Sequence, residues 1–392
     1  MTIYLDYNAT TPLCAPARDA MLPYLEQHYG NPSSIHAAGR EARAAIDDAR
    51  DRLSAIIGAK PHELIFTATG TEANNLAILG LARAHAARGR HLICAGTEHH
   101  AVLHAFQHLQ RDEAFDVTFL GVDEAGLIDP QQLAAMIRPD TTLVSIMTAN
   151  NETGVVQPLR EIAGICRTRG VLLHSDMVQS FGKLPIDFSE GVADAASFAA
   201  HKFYGPKGAG FLYLRAGLPI QPILFGGAHE NDRRPGTENV PAIAGMAAAA
   251  EWVHADLDAE QPREAALRDQ LWRAIAIACP TARQNGEVDQ RLANTLNVSF
   301  PGVSSETMLM ALDLEGVCAS SGSACMVGSV MASHVLLAMG HAAESAASAV
   351  RFSLGRQTTP EEIAAAADAI QRILARLSPT PEHSDRRPYA AV

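Results

Sequence analysis

The stretch ADAASFAAHKFYGPKGAGFLYL, residues 193–214, contains the feature around which we expect the chain to be organised. An apolar run ends at Ala200, His201 and Lys202 follow, and a Gly-Pro-Lys-Gly turn precedes a second apolar run. This pattern predicts two strands joined by a loop that holds Lys202 between them. A lysine so placed is poorly solvated, which favours the neutral amine that reacts with a carbonyl compound. The alternative is an ordinary solvated lysine in a hairpin loop.

Short apolar runs alternate with helix-like segments from residue 63 onward. The helix-like segments include residues 72–88 and 159–169, and the apolar runs are ELIFTA, HLICA, DVTFL, TLVSIMT and VLLHS. This alternation predicts a mostly parallel sheet with helices on both faces. Ligands of such sheets gather at the carboxyl ends of the strands, so the residues that follow each run are candidates for a site.

The rest of the chain differs in composition from this alternating region. Residues 1–14 have turn chemistry and few apolar residues, which predicts an extended arm. Three late runs, NTLNVSF, VCASS and AVRFSL, have the pattern of strands. Further helices are expected at 16–27, 38–57, 241–255, 262–277, 305–314, 333–339 and 360–377. We therefore expect an arm at 1–14 that packs with a small domain, a large domain at 15–255, the small α/β domain at 256–377 and a loose tail at 378–392.

Composition and charge exclude several classes of protein. With 47% hydrophobic and 19% charged residues among 392, the chain has the composition of a packed globular protein rather than a disordered one. Its formal net charge of −12, without a basic run, argues against nucleic-acid binding. We expect no signal peptide and no membrane span. The six cysteines show neither CxxC pairs nor metal-ligand spacing, which favours a reduced, cytoplasmic enzyme without a metal site.

Two of the predicted strand ends carry groups that suit a charged ring compound. Thr69-Gly70-Thr71-Glu72 opens a helix, where free N–H groups and the helix dipole favour a phosphate. Asp176 ends the run VLLHS, with Gln179 three residues later, and a buried aspartate needs a partner such as a protonated pyridine nitrogen. Each has a simpler alternative, since Thr71 and Asp176 are also common helix-capping residues.

Two further strand ends add an imidazole and amide groups. His99 follows the run HLICA, where its ring suits stacking on a cofactor or proton transfer. Asn150-Asn151 follows TLVSIMT. A hydrogen-bonded structural histidine and a plain turn are the alternatives. Together with Lys202, these strand ends supply an amine, an acid, a stacking face and an anion site, which is the set that pyridoxal phosphate requires.

A second reactive group is Cys325, in the small-residue segment Ser320-Ser321-Gly322-Ser323-Ala324-Cys325. A cysteine on an exposed, mobile loop reaches a substrate and then carries a product away. Arg351 lies at the end of the late strand pattern, where a guanidinium suits the carboxylate of an amino acid. The alternatives are an incidental free thiol and a structural ion pair.

Ten motifs in this order resemble those of one known family. They run from residue 4 to about 377 and read YLDYNATTP, GNPSSIH, FTATGTEANNLAI, TEHHAVL, NNETGVVQP, HSDMVQSFGKLPID, HKFYGPKGAG, RRPGTEN, SSGSAC and RFSLGR. The chain resembles a cysteine desulfurase of the NifS/IscS type (group I), within the class V aminotransferase family of fold-type I pyridoxal-phosphate (PLP) enzymes. The resemblance implies a large PLP-binding domain with a mostly parallel seven-stranded sheet between helices, and a smaller C-terminal α/β domain that carries the catalytic cysteine loop.

The resemblance also implies a role for each candidate residue. In the cofactor site, Lys202 is the Schiff-base lysine, Asp176 pairs with the pyridine nitrogen and Gln179 bonds the ring hydroxyl. His99 stacks on the ring and acts as acid and base. The implied phosphate ligands are Gly70, Thr71, His201 and, from the neighbouring subunit of a homodimer, Thr237.

The implied reaction converts L-cysteine to L-alanine. Asn151, which the resemblance also places in the cofactor site, and Arg351 hold the substrate carboxylate. The thiolate of Cys325 takes the sulfur as a persulfide. A sulfur-acceptor protein then receives it for iron-sulfur cluster or thio-cofactor biosynthesis. The alternative is another class V PLP enzyme, such as a selenocysteine lyase, a C-S lyase or an aminotransferase.

The chain departs from the family pattern in three places. Ala199 and Ala200 stand where a serine usually bonds the phosphate, so we expect one donor to be missing. Met177 replaces a small residue after the aspartate and is expected to crowd the ring. After Cys325 the chain reads MVGSVMAS at 326–333, more apolar than the usual TSGSLEPS. From this loop we hypothesise a specialised sulfur donor with its own partner.

Overall fold

A computed structural model of the chain describes residues 2–321 and 332–377. Its strands are β1 Ile3–Tyr4, β2 Leu64–Thr67, β3 His91–Ala95, β4 Asp116–Leu120, β5 Thr141–Ser145, β6 Leu172–Asp176, β7 Ala195–Ala199, β8 Gly210–Leu214, β9 Arg283–Gln284, β10 Thr295–Ser299, β11 Val317–Cys318 and β12 Ala349–Ser353. Its helices are α1 Ala15–Glu26, α2 Ala37–Ile56, α3 Gly70–His85, α4 His100–Asp112, α5 Pro130–Met136, α6 Leu159–Arg169, α7 Val240–Ala255, α8 Leu257–Ala278, α9 Ser305–Leu314, α10 His334–Ala338, α11 Ala343–Ala347 and α12 Pro360–Leu377.

The central sheet has seven strands in the order β2-β8-β7-β6-β5-β3-β4. Strand β8 runs antiparallel to both of its neighbours, and the remaining adjacent pairs are parallel. The predicted mostly parallel seven-stranded sheet is therefore confirmed. Strands β2, β3, β5, β6 and β7 consequently end at the same edge of the sheet, which is where ligands bind in folds of this kind.

Strands β7 and β8 are the two strands predicted from residues 193–214, and they pair antiparallel. Ala195 pairs with Leu214 and Ala199 with Gly210. A single 3-10 turn, Ala200–Lys202, follows β7 directly. The lysine is therefore fixed at the end of a buried strand by the short turn rather than by a long loop.

Helices cover both faces of this sheet because its strands are apolar on both sides. Phe66 and Ile93 belong to the core beneath α2 and α7. Their neighbours Ile65 and Leu92 belong to a second core beneath α3 and α4. Alternate residues of a strand point to opposite faces, so a continuously apolar run is the pattern expected of a strand buried twice.

A second sheet lies in the C-terminal part of the chain. It has three antiparallel strands in the order β12-β10-β9, and its apolar side chains pack with those of α8, α9 and α12 around Leu296 and Phe352. Strand β1 pairs in parallel with β11, so the amino-terminal arm joins this part of the molecule. The domain boundaries given above remain a prediction.

Some elements differ from the sequence-based expectation. Helix α8 begins at Leu257 and contains Pro262, where we expected the helix to start. Helices α4, α5 and α11 and strand β9 were not predicted, because α4 is rich in histidine and the other three are short. Across residues 2–321 and 332–377, every helix is too short or too polar to cross a membrane.

Candidate active site

A cavity of about 430 Å³ opens at the carboxyl edge of the central sheet. Residues that follow five different strands line it, together with Asn8 of the arm and Arg351 of β12. All of the site residues predicted from the sequence lie on its wall except two. Thr237 is exposed in the loop before α7, away from the cavity, and Cys325 lies outside the described residues. The predicted residues on the wall are Gly70, Thr71, His99, Asn151, Asp176, Gln179, His201, Lys202 and Arg351.

The amine of Lys202 faces this cavity and is held by backbone carbonyls. Its Nζ donates to the oxygens of Asn8 at 2.6 Å and of Ala9 at 2.8 Å. Burial lowers the pKa of Lys202 to about 8, and the nearby positive charge of Arg351 acts in the same direction. The expected poorly solvated lysine is therefore present, and its neutral fraction at pH 7 is far larger than that of a lysine in water.

Asp176 is a buried carboxylate at the end of β6. Its Oδ1 accepts from the backbone N–H of Val178 at 2.9 Å, and its Oδ2 accepts from Nδ2 of Asn74 at 2.7 Å. The segment after Asp176 is a turn rather than a helix, so the aspartate is not a helix cap. Sequence reasoning missed Asn74, although it lies one helical turn beyond the predicted phosphate-binding residues.

The amino terminus of α3 forms a narrow cradle next to this carboxylate. The side chain of Thr69, not that of Thr71, caps the helix by accepting from the N–H of Glu72 at 3.0 Å. A Cβ on Gly70 would lie 2.8 Å from a methyl of Val178 and 3.1 Å from Cβ of Ala199. Only glycine therefore leaves room at this position, and the first N–H groups of the helix stay accessible to an anion.

Two histidines on the wall are kept neutral. Nδ1 of His99 accepts from the N–H of Ala101 at 3.1 Å, which places the ring proton on Nε2. The ring touches solvent within the cavity but is enclosed by protein around it, and this desolvation lowers the pKa of His99, as does the charge of Lys202. Burial lowers the pKa of His201 to about 4, and its Nδ1 lies 3.2 Å from Oγ1 of Thr10.

Arg351 supplies a buried cation from the second sheet. Its Nη1 donates to the carbonyl oxygen of Asn151 at 2.9 Å and its Nη2 to Oδ1 of Asp6 at 2.7 Å. The Nε of Arg351 has no hydrogen-bond partner in the described part of the chain although it is buried. Arg351 thus forms a structural ion pair with Asp6 and also has an N–H donor without a described partner on the cavity wall. A structural ion pair and a carboxylate-binding role for Arg351 are therefore compatible.

Asn8 connects the arm to both sheets and was not identified from the sequence. Its carbonyl oxygen accepts from Nε2 of Gln179 at 2.9 Å and from Lys202. Its N–H donates to Oγ of Ser353 at 2.9 Å, and its Nδ2 donates to Oγ1 of Thr295 at 2.9 Å. Asn8 lies in the motif YLDYNATTP. The turn-forming residues of this motif predict an extended arm, so the sequence did not indicate that the amide of Asn8 is buried.

Comparisons with known proteins agree with this geometry. Residues 3–365 match the aminotransferase class-V family. The chain is 45% identical over 375 residues to the cysteine desulfurase IscS of Dictyoglomus turgidum, covering 96% of this chain and 95% of the relative. The chain belongs to the cysteine desulfurases of the class-V family. This confirms the family and the fold class expected from the motifs.

Solved structures of this family superpose on most of the chain. A NifS-like protein has a TM-score of 0.90 at 35% identity, covering 96% of this chain and 100% of its own. The structure of SspA in complex with cysteine has a TM-score of 0.79 at 34% identity, covering 90% of this chain and 99% of its own.

The structure distinguishes the three departures from the usual desulfurase sequence. Ala199 lines the cavity next to Gly70, so a serine at this position would place its hydroxyl on the cavity wall. Ala200 is fully buried against Gly205 and faces the core. The expectation that Met177 crowds the ring is wrong, because its side chain is buried in the core beneath the sheet and does not line the cavity. Most of the altered loop, 326–331, lies outside the described residues.

Proposed function

We propose that the chain is a cysteine desulfurase that binds PLP in the 430 Å³ cavity and transfers the sulfur of L-cysteine to Cys325. One observation supports this more than any other. An amine of lowered pKa, Lys202, and a buried carboxylate, Asp176, come from adjacent strands and line a single cavity. These are the two groups that a pyridine aldehyde requires.

The residues of the cavity fit PLP by shape and by charge. Asp176 is the acid for the ring nitrogen, Lys202 is the amine for the aldehyde, and Gly70 and Thr71 offer free helix N–H groups to the phosphate. A neutral His99 presents its ring face without adding charge. When bound, PLP supplies the electron sink that labilises the bonds at Cα of an amino acid.

The other residues bind the substrate and move protons. The guanidinium of Arg351 and the amine of Lys202 are the arginine and lysine groups on the described cavity wall, and the guanidinium donates hydrogen bonds to a substrate carboxylate beside Asn151. The neutral amine of Lys202 takes and returns a proton at the substrate carbon, and His99 acts from its protonated Nε2. The thiolate of Cys325 bonds to the substrate sulfur as the carbon–sulfur bond breaks, and the carbon gains a proton to give L-alanine.

The partners of this reaction are also part of the proposal. Thr237 is exposed outside the cavity, which fits a contribution to the phosphate site of a neighbouring subunit in a homodimer. The persulfide passes to a sulfur-acceptor protein for iron-sulfur cluster or thio-cofactor biosynthesis in the cytoplasm. The complex of SspA with cysteine supports L-cysteine as the substrate.

The test is to incubate cofactor-loaded protein with L-cysteine, quantify alanine, and measure intact mass. We expect alanine and one added sulfur atom. In Cys325→Ser the added sulfur should be lost, whereas Cys279→Ser, which alters a partly exposed thiol elsewhere, should behave as wild type. If Cys325→Ser still consumes L-cysteine at the wild-type rate, the chain is a transaminase or lyase rather than a desulfurase.

A further inference from the structure

Lys183 places a second amine directly behind the wall of the cavity. The chain has only four lysines, and two of them, Lys183 and Lys202, make hydrogen bonds to Asn8. Nζ of Lys183 donates to Oδ1 of Asn8 at 3.0 Å and to Oε1 of Gln179 at 2.8 Å. Lys183 itself does not line the cavity, so its effect on the site must pass through these two amides.

These contacts contribute to the orientation of both amides, and Oδ1 of Asn8 also accepts from Nδ2 of Asn294 at 3.0 Å. A lysine ammonium has three donors and no acceptor, so each amide must turn its oxygen towards Lys183. The NH₂ group of Gln179 therefore faces the other way, where it donates to the carbonyl oxygen of Asn8 at 2.9 Å. That carbonyl also accepts from Lys202. Without Lys183, the bond to the Asn8 carbonyl would be the remaining described contact that orients the Gln179 amide.

Lys183 lies across a small cavity from a carboxyl group on α8. Glu264 is buried, and it lines with Lys183 a small cavity of about 20 Å³, which is room for one water molecule. Burial lowers the pKa of Lys183 and raises that of Glu264, while each charge opposes the other's shift. Lys202 and Arg351 also face Lys183, and Glu260, Arg263 and Arg356 surround Glu264.

We propose that Lys183 is a positioning residue for the cofactor site, an amine opposite Glu264 whose hydrogen bonds to Asn8 and Gln179 hold the NH₂ group of Gln179 towards the cavity. This inference rests on the function proposed above. An ionised ring oxygen of the cofactor needs a donor, and the orientation of Gln179 decides whether it meets an N–H or a carbonyl oxygen. A positive charge on Lys202 lowers the pKa of Lys183, so the two amines disfavour being charged together.

The experiment compares four variants with wild type. Lys183→Met removes the donor and the charge at similar length, and Lys183→Arg retains both. The double variant Lys183→Met/Glu264→Gln removes the partner carboxyl as well, so it separates the loss of Lys183 from the stranding of Glu264. Lys60→Met changes an exposed lysine and is the matched control.

Three quantities are measured for each variant. Titration of PLP into cofactor-free protein gives the dissociation constant, a pH titration of the visible absorbance gives the midpoint for the bound cofactor, and thermal melting of cofactor-free protein reports the fold. For Lys183→Met and the double variant we expect a dissociation constant raised about tenfold and a midpoint raised by about half a pH unit or more. Lys183→Arg should keep its midpoint closer to that of wild type. Lys60→Met should change neither the dissociation constant nor the midpoint.

The outcomes separate this inference from the proposed function. If wild type shows no cofactor absorbance, both are overturned. If wild type binds PLP and the double variant has the same midpoint and dissociation constant, only the role of Lys183 is overturned. A lower melting temperature with an unchanged midpoint would also overturn it, because a purely structural lysine predicts that result.

Discussion

Nη2 of Arg351 lies 2.7 Å from Oδ1 of Asp6, joining the last strand of the second sheet to the amino-terminal arm. The carboxylate holds one end of the guanidinium, and the carbonyl of Asn151 holds the other. The orientation of Arg351 towards the cavity therefore depends on a residue that itself lies outside the cavity wall.

Asp6→Asn should weaken substrate binding more than it slows turnover. Loss of one charge-assisted hydrogen bond frees Arg351 to move, and we expect the KM for L-cysteine to rise about tenfold while kcat changes by less than about threefold. Steady-state alanine release measures both. Asp19→Asn, in an exposed pair with Arg18, is the control and should leave KM unchanged. A KM within twofold of wild type would show that Asn151 alone positions Arg351.

Cofactor incorporation should depend on pH through Lys202. Only the neutral amine reacts with an aldehyde, and with a pKa of about 8 the neutral fraction grows as the pH rises and levels off above 8. The rate of PLP incorporation into cofactor-free protein, followed by absorbance, should therefore rise about tenfold per pH unit below 8. In Arg351→Met the pH at which the rate levels off should be higher, because Arg351 lowers the pKa of Lys202. A rate that keeps rising to pH 10 in wild type contradicts this.

Ala199→Ser should tighten cofactor binding. The new hydroxyl lies on the cavity wall beside Gly70, and one added hydrogen bond of about 1 kcal/mol lowers the dissociation constant about fivefold. Ala200→Ser is the matched control, since it buries a hydroxyl in the core. It should lower the free energy of unfolding by about 1–3 kcal/mol in a denaturant titration, without an affinity gain. Equal effects of the two substitutions on PLP affinity would contradict the placement of residue 199 on the cavity wall and residue 200 in the core.

Asn74→Asp should impair cofactor binding strongly. It replaces the donor 2.7 Å from Asp176 with a second carboxyl group, and two carboxyls at that distance share a proton, which removes the charge offered to the ring nitrogen. We expect the dissociation constant of PLP to rise more than about tenfold, and less for Asn74→Ala. Gln110→Ala on the exposed side of α4 is the control. Wild-type affinity in Asn74→Asp would mean that Asp176 does not pair with the ring.

The residues at the strand ends could be predicted because of a property of parallel sheets. Lys202, Asp176 and His99 each follow an apolar run, and parallel strands bring such ends to one edge. The hydrogen-bond partners that orient the site residues could not be predicted from the positions of the strand ends. Asn74 is 102 residues from Asp176 in sequence, and Asp6 is 345 residues from Arg351, so only the folded chain reveals these pairs.

The error over Met177 has a simple cause. Proximity in sequence to Asp176 suggested proximity to the ring, but successive residues at the end of a strand point to opposite sides. Asp176 points into the cavity, and Met177 therefore points into the core. The alternation of the strand was available in the sequence and would have given the correct side.

The hydrogen bonds made by the amino-terminal arm impose an order on folding during synthesis of the chain. Ile3 donates to the carbonyl of Gly316, Leu5 to that of Cys318, and Asn8 to Oγ of Ser353. These three residues must therefore wait until residue 353 has been made before all of them have their partners. Since Asn8 also anchors the amine of Lys202, the cavity acquires its final form only after β12 has been made and has folded against the arm, and cofactor loading follows that step.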